Sequence, residues 1–326
     1  MKTLPRKNIL AALAVATALF AAPWAAAQDY PLHDIRSLCN YGAGSGADTI
    51  VRYYSDRLSK LIGKPVIVEN KTGANGAIAT DTLAKAKPDG HTILITAASS
   101  TIVAAPYLFK NLPFDTTKDF TAVTTIATLP FVILVDAASP IKTVPDLVTH
   151  LKTKPNNGFY GTTNNTGIIA AELFKAQAGL KTVYVPYKLN PQALTDLLLG
   201  QLDFLSFDAT WAVSQVKGGK LRIVAATSST RMSTLPDVPT LAEYGYGDNH
   251  VAPWWGVVVP AGTPKPIVDK LAALFNQITA QEETKQFLAR ASFDALPGTP
   301  EQMQSLMKND AERWKRYAEL AKIVPQ

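Results

Sequence analysis

The stretch IRSLCNYGAGSGADTIVRYYSDRLSKLIG, residues 35–63, sets the class of fold. It starts with a short apolar run that is typical of a strand, and a glycine-rich turn at residues 42–46 follows at once. Over residues 48–62 the apolar residues recur at helical spacing, and Gly63 ends the pattern. The stretch therefore predicts a strand, a tight turn and a helix, which is the repeating unit of an α/β protein.

The same alternation continues along the chain and favours largely parallel sheets. Further strands are predicted at residues 65–69, 91–96, 158–161, 183–186, 204–207 and 221–227. Further helices are predicted at residues 77–86, 144–152, 168–178, 191–199, 265–280 and 300–321.

Two extended stretches predict that the chain crosses between two domains. The first covers residues 120–135 and is interrupted by Pro130, and the second covers residues 255–259. Together they imply one domain made of residues 28–128 plus 255–326, and another made of residues 129–254. A cleft between two such domains is a common place for a ligand.

The first 27 residues have the order of a cleavable signal peptide. Lys2, Arg6 and Lys7 form a basic start, a fourteen-residue apolar run covers residues 9–22, and three alanines end at Ala27. The run is short for a membrane span, so an uncleaved anchor is the weaker alternative. We therefore expect export to the periplasm.

Composition limits the partners of the exported chain. Cleavage would remove three of the 32 basic residues and none of the 26 acidic ones, which leaves 299 residues and a net charge near +3. No block of like charge remains, so neither nucleic acid nor an anionic membrane surface is indicated as a partner. Cys39 is the one cysteine, and we expect it to be buried in a strand without a redox role.

The glycine-rich loop is the first candidate binding site. Its residues are Tyr41, Gly42, Ala43, Gly44, Ser45, Gly46, Ala47 and Asp48. Glycines let backbone N–H groups approach a ligand, and the N-terminal end of the following helix favours an anion. A purely structural strand-to-helix turn is the alternative, although three glycines in five residues exceed what a turn needs.

The same loop also matches a loose dinucleotide-binding pattern. Gly42, Gly44 and Ala47 have the required spacing, and Glu69 stands where an acid would bind a ribose. An exported protein would meet little NAD, which makes an exported oxidoreductase the weaker interpretation.

A second polar loop precedes a predicted helix. It consists of Gly161, Thr162, Thr163, Asn164, Asn165, Thr166 and Gly167. Hydroxyls and amides at a helix start suit recognition of a carboxylate by hydrogen bonds, whereas the alternative is a solvated turn with Thr166 as the N-cap.

No catalytic group, cofactor site or metal site is predicted. The four histidines are scattered without metal-ligand spacing, and no nucleophile-elbow motif is present. Ser99 and Thr101 follow a strand, where we expect them to donate hydrogen bonds to a ligand. Trp254 either belongs to the core or forms a wall of the cleft.

An ordered set of short motifs resembles the Bug family, the extracytoplasmic solute receptors of tripartite tricarboxylate transporters. The matching segments are KPVIVEN at 64–70, GANG at 73–76, KPDGHT at 87–92, LPFD at 112–115, KDF at 118–120, VPYK at 185–188, ALTDL at 193–197, LPDVPT at 235–240 and PAGTP at 260–264. The resemblance covers nearly the whole chain after the signal peptide.

This resemblance implies an α/β fold with two lobes, like that of type II periplasmic binding proteins, with two crossing strands and a central cleft. It implies a monomeric, non-enzymatic receptor that holds a small carboxylate between the two loops and works with the membrane subunits of a transporter. Asp208 matches a cleft position of the second lobe, and Asp48 matches an acidic residue that caps the first helix. A ligand sensor for a membrane kinase would share the fold.

Several positions depart from the family pattern. Ser45 replaces the second of two glycines, Asn40 replaces a proline, and Asn164 stands where glycine is common. Ile102 and Ala105 stand where the family often has His and Asn. A less polar cleft near Ile102 and Trp254 would suit an apolar or aromatic body, so a dicarboxylate and an aromatic carboxylate are both candidate ligands.

Overall fold

The structure is a computed structural model that describes residues 30–247 and 251–320, together with residues 323 and 325. The predicted signal peptide, residues 1–27, lies outside the described residues. Among the described residues, no helix is both long and apolar enough to cross a membrane.

One mixed sheet has six strands in the order β11-β4-β10-β3-β1-β2. Its strands are β1 (Ile35–Cys39), β2 (Val66–Asn70), β3 (Thr92–Thr96), β4 (Phe120–Thr128), β10 (Trp254–Pro260) and β11 (Asp294–Ala295). β1 pairs in parallel with β2 and β3, whereas β10 runs antiparallel to both β3 and β4.

The other sheet has five strands in the order β7-β6-β8-β5-β9. Its strands are β5 (Phe131–Asp136), β6 (Phe159–Thr162), β7 (Val183–Pro186), β8 (Phe204–Asp208) and β9 (Leu221–Ala226). β6 is parallel to β7 and β8, and β5 is antiparallel to β8 and β9.

Helices cover the sheets. They are α1 (Gly46–Ile62), α2 (Ala77–Ala84), α3 (Ala105–Leu108), α4 (Val144–Thr153), α5 (Asn165–Ala178), α6 (Asn190–Leu198), α7 (Ala209–Lys217), α8 (Lys265–Ala280), α9 (Glu282–Arg290) and α10 (Pro300–Leu320). We call the six-stranded sheet with its helices lobe 1, and the five-stranded sheet with its helices lobe 2.

Both faces of each sheet are buried, as the apolar character of the strands requires. In β3, Ile93 and Ile95 join the core under α1 and α8, whereas Leu94 joins the core under α2 and α10. In β5, Ile133 and Leu134 likewise belong to two different cores of lobe 2.

The chain passes between the two sheets at residues 129–130 and again between β9 and β10. The long extended stretch predicted over residues 120–135 is therefore two strands, β4 and β5, in different sheets, and Pro130 separates them. These passages lie close to the predicted domain boundaries, and the assignment of residues 28–128 plus 255–326 and of residues 129–254 to two domains stays a prediction.

Three local predictions were wrong. The sheets are mixed rather than largely parallel, because β5 and β10 follow the two passages and enter their sheets in the opposite direction. Helices α3, α7 and α9 were not predicted. The N-cap of α5 is Asn164 rather than Thr166, since Asn164 Oδ1 accepts a hydrogen bond from the Gly167 amide.

The burial predicted for Cys39 is confirmed, because this residue is fully buried at the end of β1. Burial raises the pKa of the Cys39 thiol, which keeps it protonated and unreactive. We expect Cys39→Ala to leave ligand affinity unchanged and to lower the free energy of unfolding by about 1 kcal/mol. Calorimetric binding and urea unfolding of the variant check this, and a tenfold loss of affinity at unchanged stability would contradict it.

Candidate functional site

A cavity of about 870 Å³ is lined by loops of both lobes, and we call it the cleft cavity. Its lining residues are Asn40, Tyr41, Gly42, Thr72, Gly73, Ala74, Gly76, Ser100, Thr101, Leu108, Thr163, Asn164, Asn165, Thr166 and Trp314. Loops that follow β1, β2 and β3 meet the loop that follows β6. The structure thus brings together parts of both loops that the sequence predicts as binding sites.

A buried carboxylate holds the first loop in place. Asp48 Oδ2 accepts hydrogen bonds from the Gly44 amide and from Arg52 Nε, both at 2.8 Å, and Asp48 Oδ1 accepts one from Asn70 Nδ2 at 2.7 Å. Burial raises the pKa of this carboxyl, but the hydrogen bonds outweigh burial and bring its pKa to about 2. Asp48 is therefore an ionised anchor of the loop, whereas the residue that caps the helix is Ser45 and not Asp48 as expected.

The backbone conformation of this loop determines which backbone N–H groups have no carbonyl partner within the helix. Ser45 is the N-cap of α1, and its Oγ accepts from the Asp48 amide at 3.1 Å. The amides of Gly46 and Ala47 have no carbonyl partner within the helix, as at any helix start. However, the predicted site residues from Ala43 to Asp48 are not among the lining residues of the cleft cavity. Their role in binding stays a proposal.

Tyr41 has a structural as well as a lining role. Its ring stacks on Trp255 at a centroid distance of 5.2 Å, and its hydroxyl accepts a hydrogen bond from the Ala97 amide at 3.2 Å. The ring stacking holds the beginning of the loop against β10, and together with the hydrogen bond it fixes the position of the neighbouring Gly42.

The second loop is built in the same way as the first. Asn164 Oδ1 accepts from the Gly167 amide at 2.9 Å, which leaves the amides of Asn165 and Thr166 in the first turn of α5. Thr163 Oγ1 donates to Asn190 Oδ1 at 2.8 Å and so ties the loop to α6. Here the capped helix start itself lines the cleft cavity.

Three of the residues predicted in this loop do not face the cleft cavity. Gly161, Thr162 and Gly167 are buried and are not among the lining residues. A Cβ on Gly167 would stand 2.0 Å from Thr162 Oγ1, so the glycine allows α5 to approach β6 closely. In the structure these residues bring the helix start close to the sheet.

The loop after β2 also lines the cavity, although the sequence does not predict it as a binding site. Gly76 has φ of +95°, and a Cβ there would stand 2.7 Å from Asn40 Nδ2. Glycine at this position therefore leaves room for the Asn40 side chain at the cavity wall. Ala74, also in the lining, has a left-handed φ of 45°, which is uncommon for a residue with a side chain.

Trp314 is another lining residue that the sequence did not indicate as part of a site. It comes from α10, more than 200 residues after the first loop, and it is almost fully buried. Only tertiary packing brings a residue of the C-terminal helix to the cavity, and no local sequence signal could have found it.

Ser99 and Trp254 do not line the cleft cavity. They line a different cavity of about 620 Å³, next to the passages between the lobes. Both are bound to Asp310 Oδ2, which accepts from Trp254 Nε1 at 2.6 Å and from Ser99 Oγ at 3.0 Å. Each side chain thus satisfies a buried carboxylate of α10, whereas Thr101, two residues further on, does line the cleft.

Asp208 and Ile102 also serve local structure. Asp208 is the N-cap of α7 and accepts from the Trp211 amide at 3.0 Å; burial raises the pKa of its carboxyl. It is not among the residues that line the cleft cavity. Ile102 is fully buried in the core of lobe 1, so the expectation that it lowers the polarity of the cleft is not supported.

The residues that line the cleft cavity in the described chain include no Asp, Glu, Lys or Arg. A bound anion would therefore be stabilised by backbone amides, hydroxyls and the end of α5 rather than by an opposite charge. Among the described residues, no cluster of His, Cys, Asp and Glu could hold a metal ion.

The dinucleotide interpretation requires a free acid at the end of β2. Glu69 instead pairs with Arg36 at 2.6 Å and with Lys71 at 3.2 Å. Hydrogen bonding from Arg36, and then from Lys71, lowers the pKa of this carboxyl against the effect of burial. Glu69 is thus ion-paired within the protein and is not the free acid that the dinucleotide interpretation requires.

Known proteins resemble this chain over most of its length. A family model described as tripartite tricarboxylate transporter family receptor matches residues 50–322. Protein BugT of Bordetella pertussis is 28% identical over 302 residues, which cover 92% of each chain.

Two solved structures from Rhodopseudomonas palustris share the fold. One, determined with adipate, is 28% identical, has a TM-score of 0.75, and matches over 91% of this chain and 100% of that chain. The other, MatC with bound malate, is 27% identical, has a TM-score of 0.69, and matches over 88% of this chain and 99% of that chain.

Proposed function

This chain belongs to the tripartite tricarboxylate transporter receptor family, and we propose that it is a periplasmic solute-binding protein. It captures a small carboxylate, either a dicarboxylate or an aromatic carboxylate, and presents it to the membrane subunits of a transporter. The family is described as a family of receptors, and we accordingly expect no catalytic role for this chain. We expect it to act as a monomer.

The observation that carries this proposal is the cleft cavity. It is uncharged, it lies where loops of both lobes meet, and the capped start of α5 opens into it. Open amides at a helix start bind anions without a cationic side chain. The relatives solved with adipate and malate carry carboxylate ligands in the same fold.

We propose that the first loop, the second loop and Thr101 contact the ligand. The residues with the most direct support are those that line the cavity, namely Tyr41, Gly42, Thr101, Thr163, Asn164, Asn165 and Thr166. Ser99, Asp208 and Trp254 act through packing and capping instead.

A thermal-shift panel of mono-, di-, tri- and aromatic carboxylates tests the proposal. A ligand at 100 times its dissociation constant should add about 2.7 kcal/mol to the free energy of unfolding. The proposal fails if no carboxylate raises the melting temperature. Capture of the membrane subunits of a transporter, rather than of a histidine kinase, would separate transport from sensing.

We expect the two lobes to close on the ligand about the two passages between the sheets. Only residues 129–130 separate β4 from β5. Changes in a few backbone torsions there can therefore rotate one lobe relative to the other. Small-angle scattering at saturating ligand should show a smaller radius of gyration than the free protein. An unchanged radius of gyration at saturation would contradict closure.

A further inference from the structure

Trp314 lies between two cavities. The cleft cavity of about 870 Å³ and the cavity of about 620 Å³ next to the passages share this residue, and no other residue of the described chain lines both. We call the second one the passage cavity. Neighbouring residues divide in the same way, because Ser99 lines the passage cavity whereas Ser100 and Thr101 line the cleft cavity. Trp314 and the turn after β3 therefore form a partition between the two cavities.

A chain of hydrogen bonds fixes the indole of Trp314. Its Nε1 donates to Ser99 Oγ at 3.3 Å, and Ser99 Oγ donates in turn to Asp310 Oδ2 at 3.0 Å. A hydroxyl can donate one proton and accept another at the same time, so the two bonds are compatible. Trp254 Nε1 also donates to Asp310 Oδ2, at 2.6 Å, and all four residues are buried. Hydrogen bonding and burial together hold the indole in one position.

The partition is also the apolar part of the cleft lining. Most lining residues of the cleft cavity are Gly, Asn, Ser or Thr, whereas Leu108 and Trp314 are large apolar residues. Leu108 lies on α3, which packs against α10, and both residues belong to one hydrophobic core. We expect the apolar body of a bound carboxylate at these two side chains, because contact with them removes its surface from water.

The passage cavity would accept a longer ligand body if the partition were absent. Its lining includes a second indole, that of Trp254, and the apolar side chains of Val251, Leu296 and Leu306. The cleft cavity already lies near the upper end of the range of roughly 300 to 1,000 Å³ for small-molecule sites, and the two cavities together exceed that range. Trp314 thus keeps the site at the size of a small ligand.

We propose that Trp314 is a specificity-determining residue that limits the length of the ligand. The body of the carboxylate ends against the indole. A longer homologue is excluded because the fixed ring occupies the path into the passage cavity. This inference rests on the proposed function, and it concerns the length of the ligand rather than its chemical class.

Homologous ligands of increasing length test this limit by titration calorimetry. Three series are used: linear monocarboxylates from butyrate to decanoate, linear dicarboxylates from succinate to sebacate, and benzoate with para-phenylbenzoate. Burial of each methylene should raise the affinity of the parent protein about fourfold until the ligand reaches Trp314. The next homologue should bind at least about tenfold more weakly, since one methylene too many in a pocket changes affinity by roughly 10- to 200-fold.

Trp314→Ala should remove that drop in affinity. The truncation opens the path into the passage cavity, so ligands beyond the parent limit should bind the variant at least about tenfold more tightly than the parent protein. If Trp314→Ala does not fold, Trp314→Leu replaces it, because leucine keeps the position apolar and is smaller than the indole. It should shift the limit in the same direction.

Leu306→Ala is the matched control. Leu306 lies on the same helix, roughly two turns earlier, and it lines the passage cavity but not the cleft cavity. Its truncation enlarges the passage cavity and leaves the partition intact. The length limit of this variant should therefore equal that of the parent protein.

The outcomes separate this inference from the proposed function. A Trp314 variant with the parent length limit, a parent protein without a limit in any series that binds, or a Leu306→Ala variant that loses the limit as Trp314→Ala does would overturn the inference while the receptor function stands. If no carboxylate binds at all, the proposed function falls and the inference falls with it.

Discussion

The Gly44→Val variant should bind its carboxylate more than about tenfold more weakly than the parent protein. Gly44 has φ of +79°, a left-handed conformation that costs an L-residue roughly 1–2 kcal/mol and a β-branched residue more. No protein atom lies within 4 Å of the position of an added Cβ, so the effect comes from the backbone torsion rather than from a clash. Relief of the strain would break the bond from the Gly44 amide to Asp48 and displace Gly42.

Ser45→Ala is the matched control in the neighbouring residue. It removes the hydroxyl that accepts from the Asp48 amide, which should cost about 1 kcal/mol of stability. It leaves every backbone N–H of the loop in place, so the affinity should stay within about threefold of the parent value. Calorimetry on both variants, with folding checked by circular dichroism, measures the contrast. If Ser45→Ala abolishes binding while Gly44→Val is harmless, binding by backbone amides is refuted.

The Asp48→Ala variant should lose about 3 kcal/mol of unfolding free energy. Its carboxylate is buried and accepts from Gly44, Arg52 and Asn70, so truncation leaves these donors without their acceptor. Asp56→Ala, on the same helix, breaks an ion pair with Lys60 that has the same i,i+4 spacing but is exposed. That control should cost less than about 0.5 kcal/mol. Urea unfolding of both variants compares the buried acid with the exposed one.

The same carboxylate predicts how stability depends on pH. The folded pKa of Asp48, about 2, lies below the value of about 3.9 expected for the unfolded chain. The stabilisation is thus complete above roughly pH 5 and is lost as the pH falls towards the folded pKa. The stability difference between the parent protein and Asp48→Ala should shrink over this range. A difference that stays constant down to pH 2 would show that ionisation of Asp48 does not matter.

Local sequence predicted the strand, turn and helix of residues 35–62 closely, because such elements depend on short-range periodicity and turn chemistry. β1 has the predicted bounds, and α1 begins at Gly46, two residues before the predicted start. The shift arises because Ser45 caps the helix, so that Asp48 lies inside the first turn. The motif order also predicted the family, which the match over residues 50–322 confirms.

The sequence did not reveal which distant segments meet. Ser99 and Trp254 had the residue types of a binding site, but both are bound to Asp310 of the C-terminal helix. Trp314 from that helix, and the loop after β2, line the cleft instead. Hydrogen-bond partners more than 50 residues apart follow from the packing of whole helices on sheets, and no periodicity records that packing.

The sequence by itself therefore determined the α/β class, the two helix starts that follow the polar loops, and the absence of Lys and Arg from both loops. Only the tertiary structure decided that the start of α5 opens into the cavity while residues 43–48 of the first loop do not line it. It also decided that Asn40 and Asn164 share one cavity from opposite lobes. The physical reason is that caps and turns form between neighbours in the chain, whereas a cleft forms between surfaces whose relative position is set by two separate cores.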